Sequence, residues 1–236
     1  YESAVAAGQQ RRALANNLFR WGIAETHAGN RSGAYEVLSR AAEESDSAVQ
    51  RVAVLQSMVE VLVYFGEVGK AREHVAEMRE AYGRIQRNQR LSPGQAAAAE
   101  AQFMRASSRV EHGVGNYAEA ERLVRRAIAA NARLIATSPT GADRPLEDNY
   151  NFQAIYYSLF LRNDLARILL AQGRLLEAEV EGRAALLGRL SLQGRHSSET
   201  ISTVVGLGQV VFQQGRSAEA ERLGRAALES LDAMKY

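Results

Sequence analysis

The chain of 236 residues has no cysteine and only three prolines, Pro93, Pro139 and Pro145. The missing cysteine excludes disulfides, thiolate metal sites and a cysteine nucleophile. It does not locate the compartment, since a reduced cytosol and an export pathway both tolerate it; a cytoplasmic place is favoured without excluding export. The scarcity of proline leaves nearly every backbone N–H able to serve a helix. Long apolar runs are missing as well: the stretch from Val59 to Phe65 is interrupted by Glu60 and is far too short to cross a bilayer. Lysine is almost absent, since of 29 basic residues only Lys70 and Lys235 are not arginine. The formal net charge of +2 is small for this length and carries no electrostatic footprint of nucleic-acid binding. The chain opens on Tyr1 and shows no signal-type apolar stretch, as expected of a segment cut from a longer protein.

Catalytic signatures are missing too. The histidines are His27, His74, His112 and His196, with no HExxH pair and no carboxylate spaced to complete a metal site on one helix face. No nucleophile elbow or phosphate-binding loop occurs. The fragment Gly206-Leu207-Gly208 has no strand before it to make it a dinucleotide site. The expectation is a non-enzymatic chain with no cofactor and no metal.

What is present is a repeat. A glycine followed five residues later by an alanine recurs at Gly29/Ala34, Gly66/Ala71, Gly115/Ala120, Gly173/Ala178 and Gly215/Ala220. Seven residues before each glycine stand Gly22, Val59, Ser108, Ala166 and Gly208. Twelve after it stand Ala41, Met78, Ala127, Ala185 and Ala227. Small residues at fixed offsets are what closely packed, repeated helix pairs require. A glycine just past an apolar helix end supplies the left-handed residue that terminates the helix. Helical periodicity over the remaining sequence predicts ten helices, at about 3–28, 32–45, 47–65, 68–89, 93–112, 117–137, 147–172, 175–192, 197–214 and 217–234. A loop insertion is expected over 138–146, where Ser138, Pro139, Gly141 and Pro145 cluster.

The frame resembles the tetratricopeptide repeat (TPR), most closely at Leu207 to Ala220 and Leu165 to Ala178. Every glycine-to-glycine interval exceeds that family's unit of about 34 residues. The last interval, containing His196-Ser197-Ser198-Glu199-Thr200, is similar to the longer repeats of kinesin light chains. The Gln-Gly-Arg turns at Gln172 and Gln214 also resemble bacterial repeat regions that precede a CHAT-type cysteine peptidase domain. The resemblance implies an all-α fold, a right-handed superhelical α-solenoid of about five helix pairs forming a single domain over 1–236. It implies a protein–protein interaction scaffold that binds a peptide or protein segment in its concave groove. The alternative is a regulatory or substrate-recruiting domain of a larger bacterial enzyme, with an attached C-terminal domain.

In the family, the first helix of each pair lines the groove. Mapped through the glycine frame, that wall holds Asn16 and Arg20, then Gln56, Glu60 and Tyr64, then Arg105 and Arg109, then Asn163 and Arg167, and finally Gln209. Arg105 and Arg109 are four apart and share a helix face, which Arg167 of the next repeat is positioned to join. Two readings stand. Such a wall can hold an acidic or extended peptide through charge-assisted hydrogen bonds, or the arginines can pair internally with Glu60, Glu111 or Asp164. The aromatic stretch Tyr150, Phe152, Tyr156, Tyr157 and Phe160 is expected to be core, with a ligand-lining role for one or two rings as the alternative.

Overall fold

A computed structural model describes residues 2–88, 91–137 and 150–234. The insertion expected over 138–146 lies outside the described residues. Ten α-helices account for almost all of them: α1 (Glu2–His27), α2 (Arg31–Glu44), α3 (Ala48–Tyr64), α4 (Val68–Arg87), α5 (Pro93–Gly113), α6 (Tyr117–Thr137), α7 (Tyr150–Ala171), α8 (Leu175–Gln193), α9 (Ser198–Gln213) and α10 (Ser217–Ala233).

Local chemistry sets where these helices start and stop. Ser47 and Ser197 accept hydrogen bonds from the backbone N–H groups of Gln50 and Thr200, both at 3.1 Å. Ser92 and Gln95 exchange reciprocal bonds in a capping box, with Pro93 in the first turn, where its missing N–H is harmless. All five repeat glycines have left-handed backbones, φ lying between 74° and 82°. At each one the chain leaves an odd-numbered helix and enters the next, so the ten helices fall into five sequential pairs.

The chain divides into two compact units, Tyr1–Asn116 and Tyr117–Tyr236. In the first, α1 packs on α2 and α3 on α4, while α5 packs against both α3 and α4. In the second, α7 packs on α6 and α8, and α9 on α8 and α10. The frame residues lie at these contacts: Ala34, Ala71, Ala120 and Ala178 are fully buried. The second repeat departs in sequence but not in burial, because Val59 and Met78 are also fully enclosed. Phe152, Tyr156, Tyr157 and Phe160 are half-buried on α7, at the edge of the core rather than inside it, and Tyr156 meets Phe160 edge-on with ring centroids 5.1 Å apart.

Candidate functional site

In the first unit the wall residues lie on α1, α3 and α5, and they differ sharply in exposure. Asn16 and Arg20 are exposed on α1, and the Asn16 Oδ1 accepts from the Gln50 Nε2 at 2.9 Å. Tyr64, at the last position of α3, is 74% exposed and meets Phe65 edge-on with ring centroids 5.0 Å apart. Arg105 is only 3% exposed. Its Nη1 bonds Oε1 of Glu60 across the α3–α5 contact, and the same oxygen accepts from the Gln56 Nε2 at 2.7 Å. Arg109 Nη1 lies 3.9 Å from the other oxygen of Glu60. One carboxylate thus gathers three of the expected site residues. A guanidinium this deep needs a counter-charge to offset lost hydration. The internal pairing with Glu60 anticipated above is therefore present for Arg105 and Arg109.

In the second unit, Asn163 and Arg167 of α7 border a narrow cleft whose floor is Ala166, Gly182, Leu207 and Val210 from α7, α8 and α9. Gln209 is exposed on α9.

A second polar arrangement in this unit links one repeat to the next. Arg174, in the Gly173 turn, bonds Glu121 of the preceding repeat at 2.6 Å and Glu177 of its own at 2.7 Å. One repeat later, Arg216 bonds Glu179 at 2.9 Å and also pairs with Glu219. The glutamines beside these glycines complete the clamp. The Gln172 amide donates to the Tyr117 carbonyl at 3.1 Å, and the Gln214 amide donates to the Leu175 carbonyl at 3.1 Å and to Glu179 at 2.9 Å. The turns at Gly29 and Gly115 carry asparagine instead. Asn30 and Asn116 bond back to Glu25 and Glu111 of their own repeats, at 2.7 and 2.8 Å. The asparagine side chains thus stay within their own repeats, while the Gly29 turn reaches its neighbour through Arg31, which pairs with Glu67 beside Gly66.

Along α6, Arg122 pairs with Glu119 at 2.7 Å and Arg125 with Glu121 at 2.8 Å. Sequence reasoning missed the reach of Arg174 to Glu121. Its signal was legible: a glutamate recurs six residues after Gly115, Gly173 and Gly215.

Burial by itself would raise the Glu179 carboxyl, but hydrogen bonds from Gln214, Arg183 and Arg216 outweigh it and hold the group at about 2, against an ordinary 4.5. A carboxyl depressed in the folded state stabilises the fold fully above its unfolded value, and that contribution is lost as pH falls toward the folded one. Stability should therefore decline between about 4.5 and 2, and Glu179→Gln should flatten that decline in denaturant melts at stepped pH. An unchanged acid slope in the variant would rule the clamp out as its source.

Among the described residues no group of three histidine, aspartate or glutamate side chains is placed to hold a metal, and no helix is long and apolar enough to cross a membrane. Residues 157–233 match the family model described as tetratricopeptide repeat. That stretch is built of tetratricopeptide repeats (TPR). Domains of this family are typically non-catalytic modules for protein–protein interaction. Among solved structures the chain is similar to BtubC (BKLC) from P. vanneervenii, at 17% identity over 96% of this chain and 74% of that one, with a TM-score of 0.57. It is also similar to a kinesin-light-chain protein of nearly identical TPR-like repeats from Podosopora anserina, at 16% identity over 95% and 97% of the two chains and a TM-score of 0.52. A Rap protein complexed with Competence and Sporulation Factor matches at 12% identity and a TM-score of 0.68, over 92% of this chain and 54% of that one. At such identities the likeness is one of fold. No curated protein sequence matches the chain.

Proposed function

We propose that the chain binds an extended, acidic peptide or protein segment along the exposed faces of the first helices of its pairs, and that residues 1–236 act as one interaction domain. The observation that carries the reading is the character of that wall in the first unit. Asn16 and Arg20 are exposed on α1, and Tyr64 stands 74% exposed at the end of α3. An exposed tyrosine offers rigid contact area at low entropic cost, and a guanidinium offers charge-assisted bonds to a carboxylate. Arg105 is a framework group in this reading, held by Glu60, whose other carboxylate oxygen lies beside Arg109. Asn163, Arg167 and Gln209 offer amide and guanidinium groups of the same kind in the second unit. The Rap protein of the same fold is complexed with a factor, which is consistent with a binding role for such a scaffold.

An arrayed library of acidic peptides, probed with the whole chain, tests the reading. Peptides selected on the array should bind the Arg20→Ala, Tyr64→Ala variant about tenfold more weakly, the equivalent of about 1.4 kcal/mol. Undiminished binding by that variant, or selection of no peptide at all, would overturn it.

A further inference from the structure

At four outward positions α8 differs from the other described second helices. Leu176, Val180, Leu187 and Leu190 are 76, 66, 69 and 42% exposed. They stand three, seven, fourteen and seventeen residues after Gly173. At the same offsets α6 carries Ala118, Arg122, Ala129 and Ala132, and α10 carries Ala218, Arg222, Glu229 and Asp232. The helices α2 and α4 place Glu36, Glu43, Glu73 and Glu80 at the middle offsets. At these offsets the other frames carry small or charged residues, whereas α8 carries two apolar pairs on one face, Leu176/Val180 and Leu187/Leu190, on either side of Arg183. Isolated surface leucines need no explanation, but exposed apolar residues gathered on one helix face mark an interaction surface.

The spacing of the stripe says what covers it. Leu176, Val180, Arg183, Leu187 and Leu190 alternate steps of four and three, the seam of a two-helix coiled coil. The seam also reads nearly the same in either direction from Arg183. Laid antiparallel on another α8 about a two-fold axis between Arg183 and Ala184, Val180 meets Leu187 of the second copy, Arg183 meets Ala184, and Leu176 packs beside Leu190. The charges are compatible with this. Arg183 is held by Glu179 at 2.7 Å and Glu219 at 2.6 Å, so it reaches the axis with its charge already answered. We propose that α8 is a homodimerisation seam, paired antiparallel about Arg183 with α8 of a second copy. Such an isologous contact closes on itself. A seam of a single helix falls short of the roughly 800 Å² per partner of a standard stable interface, so the dimer is reversible.

Sedimentation equilibrium of the whole chain tests this, with a weight-average mass expected to rise from one chain toward two as concentration increases. Val180→Glu with Leu187→Glu changes only exposed positions, and it should keep the helical circular dichroism while holding the mass at one chain. Because the chain has no cysteine, Ala184→Cys gives a single thiol, which a short bismaleimide should couple into dimers at least tenfold faster than Ala218→Cys on α10. A mass fixed at one chain throughout leaves the stripe to some other partner and overturns the proposal. A dimer indifferent to the two glutamates, or equal coupling at the two cysteines, also overturns it.

Discussion

Glu60→Ala should lower the unfolding free energy by about 3 kcal/mol, the lower end of the range for removing one partner of a buried ion pair. The lower end applies because the Glu60 side chain keeps 28% of its exposure, whereas the Arg105 side chain keeps 4%. The variant also strips an acceptor from Gln56, which is itself 8% exposed. Replacing both charges, as Glu60→Leu with Arg105→Leu, should recover most of the loss, because two desolvated ions are then exchanged for apolar contact. Urea melts of the three proteins measure this directly. A loss below about 1 kcal/mol for Glu60→Ala would mean that the carboxylate is answered mainly by water, as at an exposed pair. The same melts separate framework from binding surface, since the substitutions proposed for the peptide wall, Arg20 and Tyr64, lie on exposed side chains.

The second large effect is a contrast between two glycines at the same place in the repeat frame. A Cβ on Gly22 would stand 2.6 Å from the Leu38 Cγ, at the branch point of a fully buried side chain. A Cβ on Gly208 would meet its closest neighbour, the Leu223 Cβ, at an ordinary 3.8 Å. Both glycines lie inside helices, where glycine is less favourable than alanine by up to about 1 kcal/mol. Gly208→Ala should therefore be neutral or stabilising by about that amount. Gly22→Ala should destabilise by about 2 kcal/mol, because a packed core cannot take an added methyl without moving Leu38 off its rotamer. Thermal and urea melts of the two variants give the comparison, and equal effects would show that α1 and α2 yield where the geometry says they are close. Leu38 decides it.

The helices were legible because each carries its own start, stop and period. The spacing placed α1 over 3–28 against Glu2–His27, and α9 over 197–214 against Ser198–Gln213. The repeat glycines were legible for a local reason as well, since a left-handed residue is a property of the turn alone. Side-chain fate at the wall was not. Arg105 and Arg109 are the same residue type one turn apart, yet one is 4% and the other 17% exposed. That difference is set by how α5 rolls against α3 and α4, which no pattern within α5 records. The reach of Arg174 to Glu121 spans 53 residues and joins two elements whose proximity exists only once α7 has packed on α6. The exposed stripe on α8 was readable in principle by setting the five frames side by side, because it appears as a departure at four offsets that the recurring glycine already fixes.

The clamp of the second unit has a bearing on how such a protein grows. Its repeats four and five each hold both halves of the coupling: a Gln-Gly-Arg turn that grips backward, and a glutamate six residues after the glycine, at Glu179 and Glu221, that the following turn can grip. A segment built this way is its own adaptor. Duplicated whole, it meets a neighbour whose socket already fits, so gene duplication can lengthen the array without a compensating substitution on either side.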